Sequence, residues 1–255
     1  MSRNLFEVLT DEKNNKIKGG IYHKLQVDFA YNSNHIEGSR LTHEQTRYIY
    51  ETQTVGGEQP LRVDDIFEAV SHFRCFDYIL DTLNEPVTSA YIKELHRILK
   101  SGTLSSNSSE AVVGDYKKYP NYVGDMQTAA PEEVGELIGK LTADYNGKSK
   151  ITLYDILDFH AAYEKIHPFY DGNGRTGRLL MFKECLKNDI VPFLIEDTQK
   201  LFYYRGLKEW QSGGDKAYFV DTCLAMQDRM KVLLEHFRIE YDRTYLSCED
   251  VLNRK

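Results

Sequence analysis

One run of residues, His167-Pro168-Phe169-Tyr170-Asp171-Gly172-Asn173-Gly174-Arg175-Thr176-Gly177-Arg178, combines a titratable base, a carboxylate, flexible turn residues and two guanidinium groups. A glycine-rich turn entering a helix points successive backbone N–H groups outward, and the helix dipole adds positive potential there, which makes a phosphate site. Asp171 stands beside that nest, where a hard carboxylate oxygen can hold Mg²⁺ against phosphate oxygens. Arg175 and Arg178 are three apart, so on the first turn of a helix they share a face and can reach different phosphates of one nucleotide. His167 supplies a base that titrates near neutrality, four residues ahead of the carboxylate. The chemistry these residues suit is phosphate-centred catalysis.

Such a loop needs rigid elements on both sides. Apolar residues recur at helical spacing through most of the chain, so the predicted class is all-α. Ile156, Phe159, Tyr163 and Ile166 share one face of a helix from Thr152 to Ile166, which His167-Pro168 must interrupt. Past the glycines, Leu179, Leu180, Phe182, Cys185 and Leu186 restart a helical stripe that ends near Asn188. Upstream, Thr42 with Gln45 reads as a capping box for a helix through about Val55, stopped by Gly56-Gly57. Ile66, Val70, Phe73, Phe76 and Leu80 trace a long helix that Pro86 terminates, and Thr88 caps another through Lys100. Ser101 to Asn107 reads as a loop and Val112 to Met126 as a short β-hairpin. Further helices are expected from Pro131 to Asn146-Gly147, from Gln199 to Gln211, and from Ala217 to about Glu240, where Met226, Met230, Leu233 and Phe237 repeat at helical intervals.

Composition narrows the function classes. With 255 residues, 41% hydrophobic and 28% charged, the chain reads as folded and soluble, long enough for one large domain or one domain with helical appendages. A net charge of −7 argues against a dedicated nucleic-acid binder, which needs clustered Lys and Arg. Met1-Ser2-Arg3-Asn4 begins a polar segment without an apolar signal region, and no stretch has the length to cross a bilayer, so no membrane association is expected and the cytoplasm is the expected compartment. Cys75, Cys185, Cys223 and Cys248 are widely spaced with no CxxC pair and read as reduced thiols. His96 and His160 read as core histidines, and Trp210 as a packing residue.

The segment from His167 to Arg178 resembles the HPFx[DE]GNGRxxR signature of the Fic family at every specified position. That resemblance implies a Fic-fold helical bundle with a small β-hairpin flap. It also implies an adenylyltransferase that moves AMP from Mg·ATP onto a Tyr, Ser or Thr hydroxyl of a target protein. The related Doc kinases carry Lys in place of the second glycine of the GNG stretch, so Gly174 favours the AMP-transferring branch. Carried over by motif position, the resemblance implies His167 as the catalytic base and Asp171 as the ligand of Mg²⁺, with Mn²⁺ as an alternative ion. It places Gly172, Asn173, Gly174, Arg175, Thr176, Gly177 and Arg178 around the nucleotide, with ATP as substrate. Gly114-Asp115-Tyr116 through Tyr122-Val123-Gly124 is similar to the family's flap, which implies that Asn121, Tyr122, Val123 and Gly124 align the target segment by strand addition. Tyr203-Tyr204, with Gln211 ahead of Gly213-Gly214-Asp215, resembles the family's adenine-side helix, although Asn often stands where Gln211 does.

Ser33-Asn34-His35-Ile36-Glu37-Gly38 resembles the family's [ST]xxxE[GN] inhibitory motif, placed before the core as in members whose inhibitory helix precedes it. The implied device is a competition for one guanidinium: Glu37 paired with Arg178 occupies the group that would otherwise grip the γ-phosphate, and ATP binds misaligned. Ser33, one helical turn earlier, is placed to brace that carboxylate or its backbone. The expected organisation is an N-terminal helical segment with the switch over 1–60, a catalytic core over 61–211 and a C-terminal helical extension over 212–255. Two alternatives stay open: removal of AMP by the same site with Glu37 orienting a water, and a catalytically silent helical interaction module that binds nucleotide. The phosphate-binding residues do not choose between ATP and UTP, GTP or CDP-choline as donor. Self-modification of an exposed tyrosine and a homodimer through a spare apolar stripe from Met226 to Phe237 complete the expected partners.

Overall fold

Local caps set where several helices begin. Asn4 and Glu7 form a reciprocal capping box for α1 (Leu5–Asn14), and Thr42 and Gln45 form another for α3 (His43–Thr52). Thr152 and Asp155 do the same for α7 (Leu153–Ile166), Thr88 caps α5 (Ser89–Lys100), and Pro131 opens α6 (Pro131–Asn146). The remaining helices are α2 (Ile21–Ile36), α4 (Val63–Asp81), α8 (Asn173–Lys187), α9 (Lys200–Gln211), α10 (Ala217–His236) and α11 (Cys248–Asn253). The computed structural model describes residues 4–56, 60–103, 112–124 and 126–253, and the only sheet among them is the antiparallel pair β1 (Tyr122–Val123) and β2 (Met126–Gln127). The fold is thus all-α with one small hairpin.

Several boundaries differ from expectation for physical reasons. α3 stops at Thr52, short of Val55, because Gln53 adopts a left-handed backbone at φ 56. α4 ends at Asp81, well before Pro86, with the Thr82 hydroxyl turned back onto the Tyr78 carbonyl at 2.6 Å. The hairpin is much shorter than Val112 to Met126, since Lys117 N–H donates to the Pro168 carbonyl at 2.9 Å and so docks on the turn after α7. Part of the loop expected over Ser101 to Asn107, and Gly57 of the stop after α3, lie outside the described residues. α11 had no expected counterpart, yet its Val251 joins the same hydrophobic core as Leu5 of α1.

α8 is the central helix. It begins at Asn173, within the glycine-rich motif itself, and nearly every residue to Leu186 is buried, so the expected stripe from Leu179 to Leu186 is one side of a helix covered all round. Phe182 packs against Phe29 of α2 and Phe76 of α4 at ring distances of 5.4 and 5.3 Å. Charges on such a helix must be paired where they lie. Lys183 Nζ donates to Glu184 Oε1 at 2.8 Å and to the Glu85 carbonyl at 2.7 Å, while Glu184 Oε2 accepts from the Tyr145 hydroxyl at 3.0 Å.

On α10, Met226, Met230 and Leu234 are buried in the core, with Leu233 and Phe237 packed against it. The stripe from Met226 to Phe237, the face expected to pair a homodimer, is thus partly packed into the core, while Met226, Met230, Leu233 and Phe237 also line an open groove with Leu25 and Leu194. No helix among the described residues is long and apolar enough to cross a membrane. Cys75, Cys185, Cys223 and Cys248 are free thiols.

Candidate active site

α7 ends where His167 takes a left-handed backbone, φ 53 and ψ 64, with its N–H on the Tyr163 carbonyl at 2.9 Å. Asn173 closes the turn that follows, its Oδ1 accepting from Phe169 N–H and its Nδ2 donating to the Phe169 carbonyl, both at 2.8 Å. Gly172, at φ 83, precedes α8, and a Cβ there would be strained and would press on Lys100. His96 of α5 supports the loop, its ring stacked on Phe169 at 3.7 Å. Gly114 N–H donates to His96 Nδ1 at 3.0 Å, so the proton sits on Nε2 and goes to the Asp171 carbonyl at 3.0 Å. Burial holds this imidazole down to about 4, which keeps it neutral. The first backbone bond of α8 runs from Thr176 N–H to the Gly172 carbonyl, so the N–H groups of Asn173, Gly174 and Arg175 precede the helical ladder and face its positive end.

Asp171 lies in a cluster of four charges. Its Oδ2 accepts from Lys100 Nζ at 2.6 Å, and its Oδ1 accepts from Gly172 N–H at 2.6 Å and Arg175 Nη2 at 3.3 Å. Glu68 Oε1 of α4 accepts from Arg175 Nη1 at 2.6 Å and Lys100 Nζ at 2.9 Å. Burial opposes ionisation of Asp171, but Arg175 and Lys100 outweigh it and hold the carboxyl at about 2. One ionised, half-exposed carboxylate is the kind of donor that magnesium or manganese takes at nucleotide sites, where phosphates and water complete the shell, but here an ion would share Asp171 with Lys100 and Arg175. No group of three or more His, Cys, Asp or Glu able to hold a metal by itself occurs among the described residues. Arg175 departs from its expected role, because its buried guanidinium is committed to Glu68 and Asp171 and does not line the neighbouring cavity. Glu68→Ala leaves two buried cations sharing Asp171 as their one remaining carboxylate, and a loss of about 3 kcal/mol is expected, read as a lower midpoint in urea unfolding.

One turn further, Arg178 is 1% exposed. Its Nε donates to Ser33 Oγ at 3.1 Å, and its Nη2 donates to the Ser33 carbonyl at 2.9 Å and to Glu37 Oε1 at 2.7 Å. Ser33 thus braces the arginine and not the Glu37 carboxylate. Nη1 of Arg178 has no hydrogen-bond partner among the described residues. Glu37 caps the C-terminus of α2, and its carboxylate comes down on Gly174, where any Cβ would collide with Oε1. An intramolecular anion therefore sits both on a buried arginine and at the positive end of α8. Glu37, Gly174, Arg178, His167, the flap residues Tyr122, Val123 and Gly124, and Tyr203, Tyr204 and Gln211 of α9 line one cavity of about 630 Å³.

His167 is poised at that cavity. Its Nδ1 lies 3.3 Å from the Glu164 carbonyl, which can only accept, so the ring proton is on Nδ1 and the Nε2 lone pair is available. Burial, with help from the Lys117 charge, holds His167 down to about 4, and the ring is neutral at physiological pH. Lys117 Nζ donates to Asn121 Oδ1 at 2.8 Å and to Thr128 Oγ1 at 2.6 Å, and burial holds it down to about 8. Asn121 Nδ2 donates to the Phe169 carbonyl at 3.2 Å, tying the base of the flap to the turn.

Of the remaining expected site residues, Tyr203, Tyr204 and Gln211 line the cavity and the others pack around it. Asn173 is buried in closing the turn, Thr176 is fully buried, and Gly177 packs against Glu164 and His160. Asp171 and Gly172 adjoin the cavity without lining it. Tyr203 is a core residue whose hydroxyl meets His160 Nε2 at 2.8 Å, whereas Tyr204 is 39% exposed. Gln211 Nε2 donates to the Ala161 carbonyl at 3.1 Å. Glu68, Lys100, Lys117 and Glu164 were not singled out in the sequence. Glu68 and Lys100 meet their partners only through tertiary packing, Lys117 meets Asn121 and Thr128 within its own hairpin segment, and Glu164 had a faint local signal, a charged residue beside Tyr163 on the apolar face of α7.

The Fic/DOC family profile matches residues 86–185, from just before α5 through most of α8. A Drosophila sechellia protein named Protein adenylyltransferase Fic is 30% identical over 201 residues, which cover 76% of this chain and 39% of that protein. A Nematostella vectensis protein of the same name is 28% identical over 199 residues, 76% of this chain and 45% of that one. The chain spans less than half the length of these curated relatives. A solved Fic domain containing signaling protein from Bacteroides thetaiotaomicron shares the fold, with a TM-score of 0.75 at 24% identity over 94% of this chain and 99% of that one.

Proposed function

This chain belongs to the Fic/DOC family, and from that premise we propose that it transfers AMP from ATP to a hydroxyl of a target protein, with Glu37 as its own inhibitor. The observation that carries the reading is the Glu37 carboxylate lodged on Arg178 and against Gly174, with neutral His167 in the same cavity. A buried arginine at a helix N-terminus is built to receive an anion.

In the proposed reaction the triphosphate lies along the N-terminus of α8, with backbone N–H groups around Gly174 donating to its oxygens. Arg178 takes the γ-phosphate once Glu37 withdraws. Tyr204 and Gln211 lie on the side left for the base. An extended target segment pairs with the flap, where Tyr122 is 65% and Val123 42% exposed. Nε2 of His167 removes the proton of the acceptor hydroxyl as its oxygen bonds to the α-phosphorus. The bond to the bridging oxygen breaks and pyrophosphate leaves with that electron pair, while the imidazolium later gives its proton to solvent. Placement and charge stabilisation supply most of the rate in such chemistry. Asp171 is the residue that would hold Mg²⁺ or Mn²⁺, whose charge would offset that of the phosphates.

ATP labelled at the α-phosphate is expected to label protein in the Glu37→Gly form, and ATP labelled at the γ-phosphate is not. Label arriving from the γ position would replace AMP transfer by phosphorylation. A second reading keeps Glu37 docked, because its carboxylate and His167 face one cavity and together suit a water attacking an AMP-protein ester. Release of AMP from a modified protein by wild type but not by Glu37→Gly would favour it.

A further inference from the structure

Asp171 is already held by two cations, and Lys100 is the one to which the proposed reaction gives no part. It lies in the last turn of α5, and its side chain is only 3% exposed although it ends in an ammonium. The stem lies against Gly172, where a Cβ would stand 3.2 Å from Lys100 Cδ. Nζ reaches both carboxylates of the cluster, Asp171 Oδ2 at 2.6 Å and Glu68 Oε1 at 2.9 Å. Arg175 joins the same two carboxylates, through Asp171 Oδ1 and Glu68 Oε1. Each oxygen of Asp171 thus carries a cation, and the two carboxylates and two cations cancel in charge. Asp171, with its side chain 46% exposed, is the most open of the four.

We propose that Lys100 is a positioning residue for the metal: it fixes the Asp171 carboxylate and, by cancelling its charge, keeps that carboxylate from taking a divalent cation until a triphosphate is bound. The inference rests on the reading of Asp171 as the metal ligand beside the phosphates. A free Mg²⁺ or Mn²⁺ ion approaching Asp171 meets two carboxylates but also two cations at similar range, so attraction and repulsion largely offset each other. The ion must also give up water, which magnesium does reluctantly. Phosphate oxygens at the N-terminus of α8 change that balance, because they bring both negative charge and further ligands. Metal and nucleotide therefore enter together, and the protein without nucleotide takes up little metal. Partners of a ligating carboxylate commonly tune metal affinity, and here the partner is a cation, so removing it strengthens binding. A salt bridge with a merely structural role predicts the reverse, since losing Lys100 would loosen Asp171 and weaken the site.

Equilibrium dialysis against Mn²⁺ reads this without any turnover, with Glu37→Gly as the parent protein so that the phosphate site is open. The parent is expected to retain Mn²⁺ together with a non-hydrolysable ATP analogue and to bind it only weakly alone. Lys100→Met keeps the stem against Gly172 and removes the ammonium. Added to the parent, it is expected to tighten Mn²⁺ binding without nucleotide by about 10–100-fold, the scale on which such partners change metal affinity. Lys100→Gln, which can still donate to Asp171 and Glu68 without the charge, is the second variant and is expected to shift affinity in the same direction. A further Asp171→Asn is expected to abolish the gain. Mn²⁺ affinity in the Lys100 variants equal to that of the parent, or weaker, overturns the proposal, while retention of Mn²⁺ with the analogue keeps Asp171 as the metal ligand. A parent that gains no Mn²⁺ when the analogue is added removes the metal reading of Asp171 and the role of Lys100 with it.

Discussion

Glu37→Gly is expected to raise AMP incorporation from α-labelled ATP by roughly 10²-fold, the scale on which a small misplacement of reacting groups slows a reaction. In the wild type, Glu37 takes Nη2 of Arg178 at 2.7 Å and blocks the approach to Gly174, so a triphosphate meets a carboxylate where its terminal phosphate should bind. Removing the carboxylate also leaves Arg178 buried with only the Ser33 contacts, an uncompensated charge that a γ-phosphate would satisfy. ATP is therefore expected to raise the Tm of Glu37→Gly more than that of wild type, by mass action through tighter binding. Glu37→Gln, which keeps the shape but not the charge, separates the ion pair from steric blockage. Equal incorporation by wild type and Glu37→Gly would remove Glu37 from the mechanism.

His167→Asn is expected to lower transfer by about 10²–10⁴-fold in the Glu37→Gly background, the range for loss of a general base. Asn tolerates the left-handed backbone at position 167 and cannot accept the proton in place of the imidazole. ATP affinity is expected to hold, since the phosphates are proposed to lie on α8 and Arg178, and calorimetric titration with ATP checks this. Transfer that survives in His167→Asn would assign the proton to another group and undo the role of the imidazole.

The proposed chemistry was easiest to read where it is contiguous. A base, a carboxylate and a glycine-rich helix start within one loop constrain each other through short-range geometry, and the helix beginning at Asn173 supplies the anion-attracting end that this pattern needs. Capping at Thr42 and Thr88 was legible for the same reason, since a cap is satisfied within one turn. Partners brought by tertiary packing were not. Spacing puts Arg175 and Arg178 on adjacent turns, but nothing local says that Arg175 meets Glu68 of α4 while Arg178 meets Ser33 and Glu37 of α2. The apolar period of α10 likewise shows a face without showing what covers it: part of that face packs into the core and part lines an open groove. Val112 to Met126 reads as a longer hairpin than the structure has, because Gly, Tyr and Lys in turn-rich sequence do not distinguish a paired strand from a segment docked by Lys117 on Pro168.

The proposed reaction requires that the N-terminus of α8 and Arg178 hold a triphosphate with its first phosphorus facing His167. The most direct measurement is a crystal structure of Glu37→Gly with a non-hydrolysable ATP analogue and Mg²⁺. Expected there are the γ-phosphate on Arg178, phosphate oxygens on the N–H groups around Gly174, and the α-phosphorus opposite Nε2 of His167. A nucleotide bound outside this cavity, or within it with the α-phosphorus turned away from the imidazole, would rule out His167 as the base of this reaction.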